Sequence, residues 1–416
     1  MLAVTSKRIL IVWAAAIALV VGNVMMMKLT VKASSSSSSS SPLKDANYLA
    51  VWIVAQWIPI PEMRRALLNE AWGYWEGVYG GRMGLSTDNL QLEIPTVDVQ
   101  DHINSNKDGG DNSLLEFLEV QFGKDWRKRP LLLRNLWTLS DLQDPQRRLS
   151  VNGLLKENLT IPYFTDARKD NALSPDASAP IGSIVSNMTH MKSPHKIGTQ
   201  LLVQRYPELV NEIAPTTNVL TQLFGDHFTP DHVRGMGPDH QWLPALTTVP
   251  VFIASSTSIQ QQQAETEDSS QKKQESSRPY TALHCEPIGN VAVQLSGSKQ
   301  WKMVDPVYSF LIRPSTAPDG RAFFASSKAI DEIQVPTYSA VTSAGDAMWI
   351  PTWTWHRVDY TTTTSESSST SANNDIAIGG SLFHFRPVDY FVNNPLFAIM
   401  MIPAIIGQEL LGLKSQ

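Results

Sequence analysis

Cysteine is nearly absent: Cys285 is the only one in 416 residues. An intrachain disulfide is therefore excluded, and so is a zinc site of clustered thiolates, which leaves histidine and carboxylate to hold any metal. Basic charge is not in excess either. Lys and Arg number 34 against 39 Asp and Glu, a formal net charge of −5. No surplus exists to release counterions from a phosphate backbone, so nucleic acid is not the expected partner. Charged residues make up only 18% of the chain, whereas 42% is hydrophobic, with 12 Trp and 13 Phe. That apolar mass excludes a wholly disordered chain and suffices for a substantial core. The length corresponds to about two or three domains, or one large domain with elaborations.

One long hydrophobic run is present. Lys7 and Arg8 precede Ile9 to Met27, which is interrupted only by Asn23 and closed by Lys28. At ~1.5 Å per residue this stretch approaches the ~30 Å hydrocarbon core, so the sequence predicts an N-terminal transmembrane helix, an uncleaved signal anchor. The alternative is secretion after signal cleavage, although cleaved signals normally have shorter apolar regions. On the anchor reading, residues 1–33 form a cytosolic tail and the helix, and 34–46 form a stalk that opens with the serine run Ser34 to Ser41. The protein is then single-pass, with its body in the endomembrane lumen or outside the cell. Two sequons, at Asn158 and Asn187, are compatible with that side.

Residues 47–93 read as a helical segment. Met63, Leu67, Ala71, Tyr74 and Val78 recur at helical spacing after Pro61, a stripe expected in a core or interface. Residues 100–112 read as a loop, Leu114 to Phe122 as a helix and Pro130 to Arg134 as a short buried strand. Residues 165–200, rich in Ser, Pro and Asn, are expected to form irregular connections. The low-complexity stretches 255–278 and 361–374 are expected to be disordered insertions, since neither buries enough apolar surface to offset its ordering entropy. Compact apolar segments surround them: Pro250–Ala254, Tyr280–Glu286, Asn290–Leu295, Gln300–Val304, Ala347–Ile350 and Ile376–Phe385. Short strands with glycine turns predict an antiparallel barrel or sandwich. Residues 396–416 are expected to be an apolar helix. Pro403, Gln408 and Glu409 argue against a second span; a packing helix, a homodimer contact or a monotopic membrane contact remain.

Within those strands one constellation carries chemistry. In Thr281-Ala-Leu-His284-Cys-Glu286 the His and Glu lie two apart, so a strand presents both on one face. A third ligand is available from His356, at the end of an apolar run that starts at Gly345-Asp346. Two His and one carboxylate with open positions form the facial triad of non-haem Fe(II) oxygenases. Among the other histidines, His102, His190, His195, His227, His232 and His240 lie in polar stretches and His384 reads as a core or rim residue. Lys299 follows Ser296-Gly297-Ser298, read as the turn of a hairpin. An apolar interior tolerates that lysine only beside an anion, such as the far carboxylate of a dicarboxylate co-substrate. The bland alternative is a solvated lysine at the hairpin tip.

Taken together, Thr281-x-x-His284-x-Glu286-x-x-x-Asn290, Gly297-x-Lys299-x-Trp301 and Gly345-Asp346 through Ile350-Pro351 to Trp355-His356 resemble the JmjC or cupin-like (cupin 8-type) Fe(II)/2-oxoglutarate oxygenases. Arg129 to Arg134 and Ile161-Pro-Tyr-Phe164 are similar to earlier segments of that domain. The resemblance spans about 94–395. It implies a mainly β fold with flanking helices, a double-stranded β-helix (jelly-roll or cupin) barrel. It also implies that His284, Glu286 and His356 are the catalytic iron ligands. Lys299 and Thr281 would bind the 2-oxoglutarate C5 carboxylate, and Asn290 would lie beside the co-substrate. The implied activity is a dioxygenase that uses O₂ to hydroxylate or demethylate a substrate C–H, with a protein as substrate class, while 2-oxoglutarate is decarboxylated to succinate. The competing expectations are a non-catalytic, membrane-tethered cupin-like scaffold and a metal hydrolase or isomerase that would not need Lys299.

Overall fold

The computed structural model describes residues 42–55, most of 63–74, 91–106, 114–166, 175–214, 248–255, 279–325 and 335–361 with short internal gaps, and 376–398. The chain divides into two compact units, Met1–Thr87 and Asp88–Gln416. In the first, helix α1 spans Pro42–Ala55, and the described residues between 63 and 74 are helical, as their periodicity predicts. Trp52, Ala55, Leu68 and Ala71 are buried, and Tyr48 stacks on Tyr74 with ring centroids 4.0 Å apart.

The second unit is β-rich. Its early strands are β1 (Gln91–Leu92), β2 (Thr96–Asp98), β3 (Leu131–Arg134), β4 (Thr160–Tyr163), β5 (Ala177–Pro180), β6 (Lys196–Thr199) and β7 (Val251–Ser255). Then come β8 (Tyr280–Cys285), β9 (Gly289–Ser296), β10 (Ser298–Val304), β11 (Pro314–Thr316) and β12 (Phe323–Ala325). The last four are β13 (Thr337–Ser343), β14 (Ala347–Ile350), β15 (Trp355–Thr361) and β16 (Ile376–His384). Among the described residues they form two seven-stranded sheets. Sheet I runs β1-β13-β10-β15-β8-β12-β11, sheet II runs β2-β3-β14-β9-β16-β7-β6, and β4 pairs with β5 alone. The pairs β1–β13 and β2–β3 are parallel and the others antiparallel, so both sheets are mixed. From β7 to β10, and again from β13 to β16, successive strands fall in alternate sheets.

The inner faces meet in one apolar layer, the arrangement of a β-sandwich. Trp301, Met303, Val358 and Tyr360 of sheet I pack with Ala292, Met348, Ile350 and Ala377 of sheet II. The odd-numbered residues Val291, Val293 and Leu295 of β9 face the other way. There they join Ile181, Ile184, Val185 and Met188 of α4 and Leu114 and Leu118 of α3 (α2, α3 and α4 span Val99–Asn106, Leu114–Phe122 and Ile181–His190). Sheet II is thus covered on both faces, which is why β9 is buried almost throughout. Each large aliphatic side chain removed from water in these layers contributes about 1.5–3 kcal/mol. Helix α5, Pro387–Asn393, follows β16.

Four expectations need correction. The single-pass membrane placement is the first. No helix among the described residues is long and apolar enough to cross a bilayer. Helix α1 has 14 residues, ~21 Å at 1.5 Å each against a ~30 Å hydrocarbon core. The 9–27 run and the serines 34–41 lie outside the described residues, whereas residues 42–46 of the expected stalk open α1; the single-pass placement, its lumenal or extracellular body and the cleaved-signal alternative are withdrawn. The second correction concerns 100–112, where α2 occupies 99–106 because Asp98 Oδ1 accepts the Asp101 amide at 3.0 Å and caps it. The third concerns 165–200, where Ile181, Ile184, Val185 and Met188 define the buried stripe of α4. The fourth is the hairpin. Strands β9 and β10 do not pair; Gly297, at φ +68°, carries the chain from sheet II to sheet I. Apart from Ser255 and Thr361, the low-complexity stretches lie outside the described residues, as does the C-terminal segment beyond Ala398.

Candidate metal centre

Strands β8 and β15 are neighbours in sheet I, with His284 directly opposite His356. One register step on, Val358 faces Thr281, so two residues of β15 span three of β8: a bulge lies between. The extra residue brings Thr281 and His284 to the same inner face, although strict alternation would separate them. Glu286 follows the end of β8. Ligand atoms of His284, Glu286 and His356 lie within 4.8 Å of one another, the one such cluster among the described residues. The imidazole centroids are 4.2 Å apart, and Phe324 stacks on His284 at 5.4 Å.

The hydrogen bonds fix which nitrogens face the cluster. His284 Nδ1 lies 2.7 Å from the Ala282 carbonyl, and His356 Nδ1 lies 3.0 Å from the Thr354 carbonyl. A carbonyl only accepts, so each Nδ1 carries the proton and each Nε2 keeps a lone pair for a metal. Burial drives the His284 pKa down to about 4 and that of His356 well below its ordinary value, the latter helped by the adjacent His284. The 3.9 Å approach of His284 Nε2 to Glu286 Oε1 is therefore a neutral imidazole beside a carboxylate, not an ion pair. Two neutral imidazoles and one partly exposed carboxylate fit a divalent cation.

The expected anion site shares the inner face. Lys299 lies two residues before Trp301 and opposite Tyr360, and is only 4% exposed. Its Nζ reaches sheet II beside Gly379, where a Cβ would sit 2.6 Å from it; only glycine leaves that space. The rings of Tyr360, Phe252 and Trp301 surround it at 5.7, 5.9 and 6.0 Å. Among the described residues no carboxylate pairs with it, and burial alone lowers its pKa to about 8. Thr281 hydrogen-bonds Tyr360, whose pKa burial raises to about 12. Asn290, two residues from Ala292 on β9, is buried on the same inner face, and its Oδ1 has no hydrogen-bond partner among the described residues.

All six residues singled out in the sequence thus line the inter-sheet space or its rim. His384 ends β16 outside the cluster, and His102 and His195, both half-buried, lie elsewhere. Sequence reasoning missed Tyr360, although its even-numbered offset from His356 on one strand marks the shared face. It also missed buried Lys196 on β6, which donates to the Tyr280 carbonyl at 3.1 Å and lowers the proton affinity of His284. The Gly-Asp corner was legible. Gly345 sits at φ +99°, where a Cβ would meet the Trp137 carbonyl oxygen at 2.6 Å. Asp346 accepts from Arg134 and from the amides of Asn135 and Ser343, pinning β14 beside β3. No known protein family and no curated protein matches the chain.

Proposed function

We propose that the chain is an Fe(II)/2-oxoglutarate-dependent oxygenase of the JmjC or cupin-like type, built on a double-stranded β-helix, that hydroxylates or demethylates a protein. One observation carries this reading: a His-His-Glu cluster and a buried lysine with no carboxylate partner among the described residues share one inner face. A hydrolase needs the first feature but not the second. The alternation of strands between the sheets is the winding such a barrel requires.

His284, Glu286 and His356 would hold the iron, which when bound supplies the oxidative chemistry. The chain's own part is binding, orientation and exclusion of water. Lys299 and Thr281 would grip the distal carboxylate of 2-oxoglutarate by a charge-assisted and a neutral hydrogen bond. Lys299 stands four residues along the strand from the level of the histidines, ~13 Å at 3.3 Å per residue. The lysine stem and a five-carbon dicarboxylate divide that span. The Asn290 amide NH₂ and the Tyr360 hydroxyl would offer further donors beside it. The surrounding Trp301, Phe252 and Tyr360 rings keep the space dry, which strengthens each of those bonds.

Purified protein supplied with Fe(II), O₂ and 2-oxoglutarate should release succinate, and His356→Ala should abolish that release. Succinate formation that does not depend on added iron, or none at all from metal-loaded protein, would overturn the reading in favour of a barrel that only binds.

A further inference from the structure

The loop between β14 and β15, residues 351–354, contains a conformational outlier. Trp353 has φ +67°, a left-handed backbone in a bulky residue whose ring is fully buried. Such a conformation persists only where the surroundings hold it, and clusters of this kind mark functional sites. Here the holding groups are identifiable. The Trp353 amide donates to the backbone carbonyl of Glu286 at 2.9 Å. Its indole Nε1 donates to the Tyr390 carbonyl of α5 at 2.8 Å. Its ring lies against Tyr390, Phe397 and Phe323 at centroid distances of 5.3, 5.7 and 6.0 Å. Asn393 of α5 donates to the Thr352 carbonyl at 3.3 Å, just before it.

Three positions on is His356, whose own Nδ1 bond goes to the Thr354 carbonyl inside this loop. A left-handed residue turns the chain sharply. In any other conformation Thr354 and His356 would leave the path that sets His356 opposite His284. One residue therefore joins the backbones of two ligand-bearing segments, at Glu286 and at His356, while the C-terminal segment grips its ring. We propose that Trp353 is a positioning residue for the metal centre, and that α5 with Phe397 forms the wall that keeps it left-handed. The inference rests on the triad being a metal site.

Cobalt(II) is the probe, because its d–d absorption reports both affinity and ligand geometry without turnover. The full chain is titrated as wild type, His284→Ala, Trp353→Ala, Trp353→Gly and Trp353→Asn. Glycine and asparagine accept a left-handed backbone and alanine resists it. The expected result is a tenfold or greater loss of cobalt affinity in Trp353→Ala with a changed band shape. Trp353→Gly and Trp353→Asn should return to within about threefold of wild type, although they also lack the ring. A ring needed only for packing predicts the reverse, with alanine at least as good as glycine, and that order overturns the proposal. So does wild-type affinity in all three. If only Trp353→Ala fails to fold, Phe397→Ala takes its place in the titration. If none folds, Phe397→Ala decides: weakened cobalt binding in a folded protein supports the wall, and unchanged binding overturns it. Wild type that takes up no cobalt sensitive to His284→Ala sinks the metal reading itself, and this proposal with it.

Discussion

Lys299 is the residue whose chemistry is most exposed to experiment. Removing the partner of a buried carboxylate costs on the order of 2–5 kcal/mol, so Lys299→Ala should weaken 2-oxoglutarate binding roughly 30-fold to several-thousand-fold. Iron content should not change, which equilibrium dialysis and metal analysis check together. Thr281→Val removes a neutral bond worth about 1 kcal/mol and should cost roughly fivefold. The pH dependence follows from burial, which brings Lys299 from 10.5 to about 8 in the ligand-free protein. Between those values the unfolded chain binds a proton that the folded chain does not, so ligand-free stability rises with pH across that window. On the proposed reading 2-oxoglutarate binding needs the ammonium, so it should weaken as pH passes about 8. Lys299→Met removes the uncompensated charge: urea unfolding should find it more stable than wild type at pH 7, with the pH-dependent difference gone by about pH 10.5. Equal stability at every pH would mean the lysine has a counter-charge after all.

At the scale of elements, the corner before β14 and the approach to β16 make separate predictions. Gly345→Ala forces a Cβ onto the Trp137 carbonyl at positive φ and should destabilise the protein by about 1–3 kcal/mol in denaturant unfolding. Gly379→Ala places a methyl 2.6 Å from Lys299 Nζ and 2.8 Å from the Val293 carbonyl. The lysine can swing away and the backbone cannot move freely, so the variant should lose both stability and 2-oxoglutarate affinity while keeping its metal. Retained affinity would show that Lys299 Nζ binds from another rotamer. Much at this scale was legible from the chain alone. The strands β7 to β10, β14 and β16 and the helix α3 lie within a residue or two of the apolar segments that announce them. The facing of Thr281 and His284 was not, because a bulge breaks the period of two and no residue type signals it. Nor was the sheet change at Gly297: a glycine at positive φ serves a hairpin and a crossing equally well. Helix α4 was obscured by its polar flanks, although its own apolar spacing is regular.

For the molecule as a whole, ligand loading and folding are linked. An ion bound only by the native state at a thousandfold excess over its Kd adds about 4 kcal/mol of stability. Chelator should therefore lower the melting temperature of iron-loaded wild type and leave His284→Ala unmoved. The same sandwich has a temporal consequence. Its pairings are long in sequence: His284 lies against His356, and Ser255 of β7 against Ile376 of β16. Chains dominated by such distant contacts assemble slowly, since loop closure must precede any gain from contact. During synthesis, His284 and Glu286 leave the ribosome well before His356, and before the Tyr390 and Phe397 that steady its loop. A nascent chain has two donors and nowhere to place a third, so on the proposed reading an ion would be acquired only by the finished protein, and a shortage of metal would be felt after translation has ended.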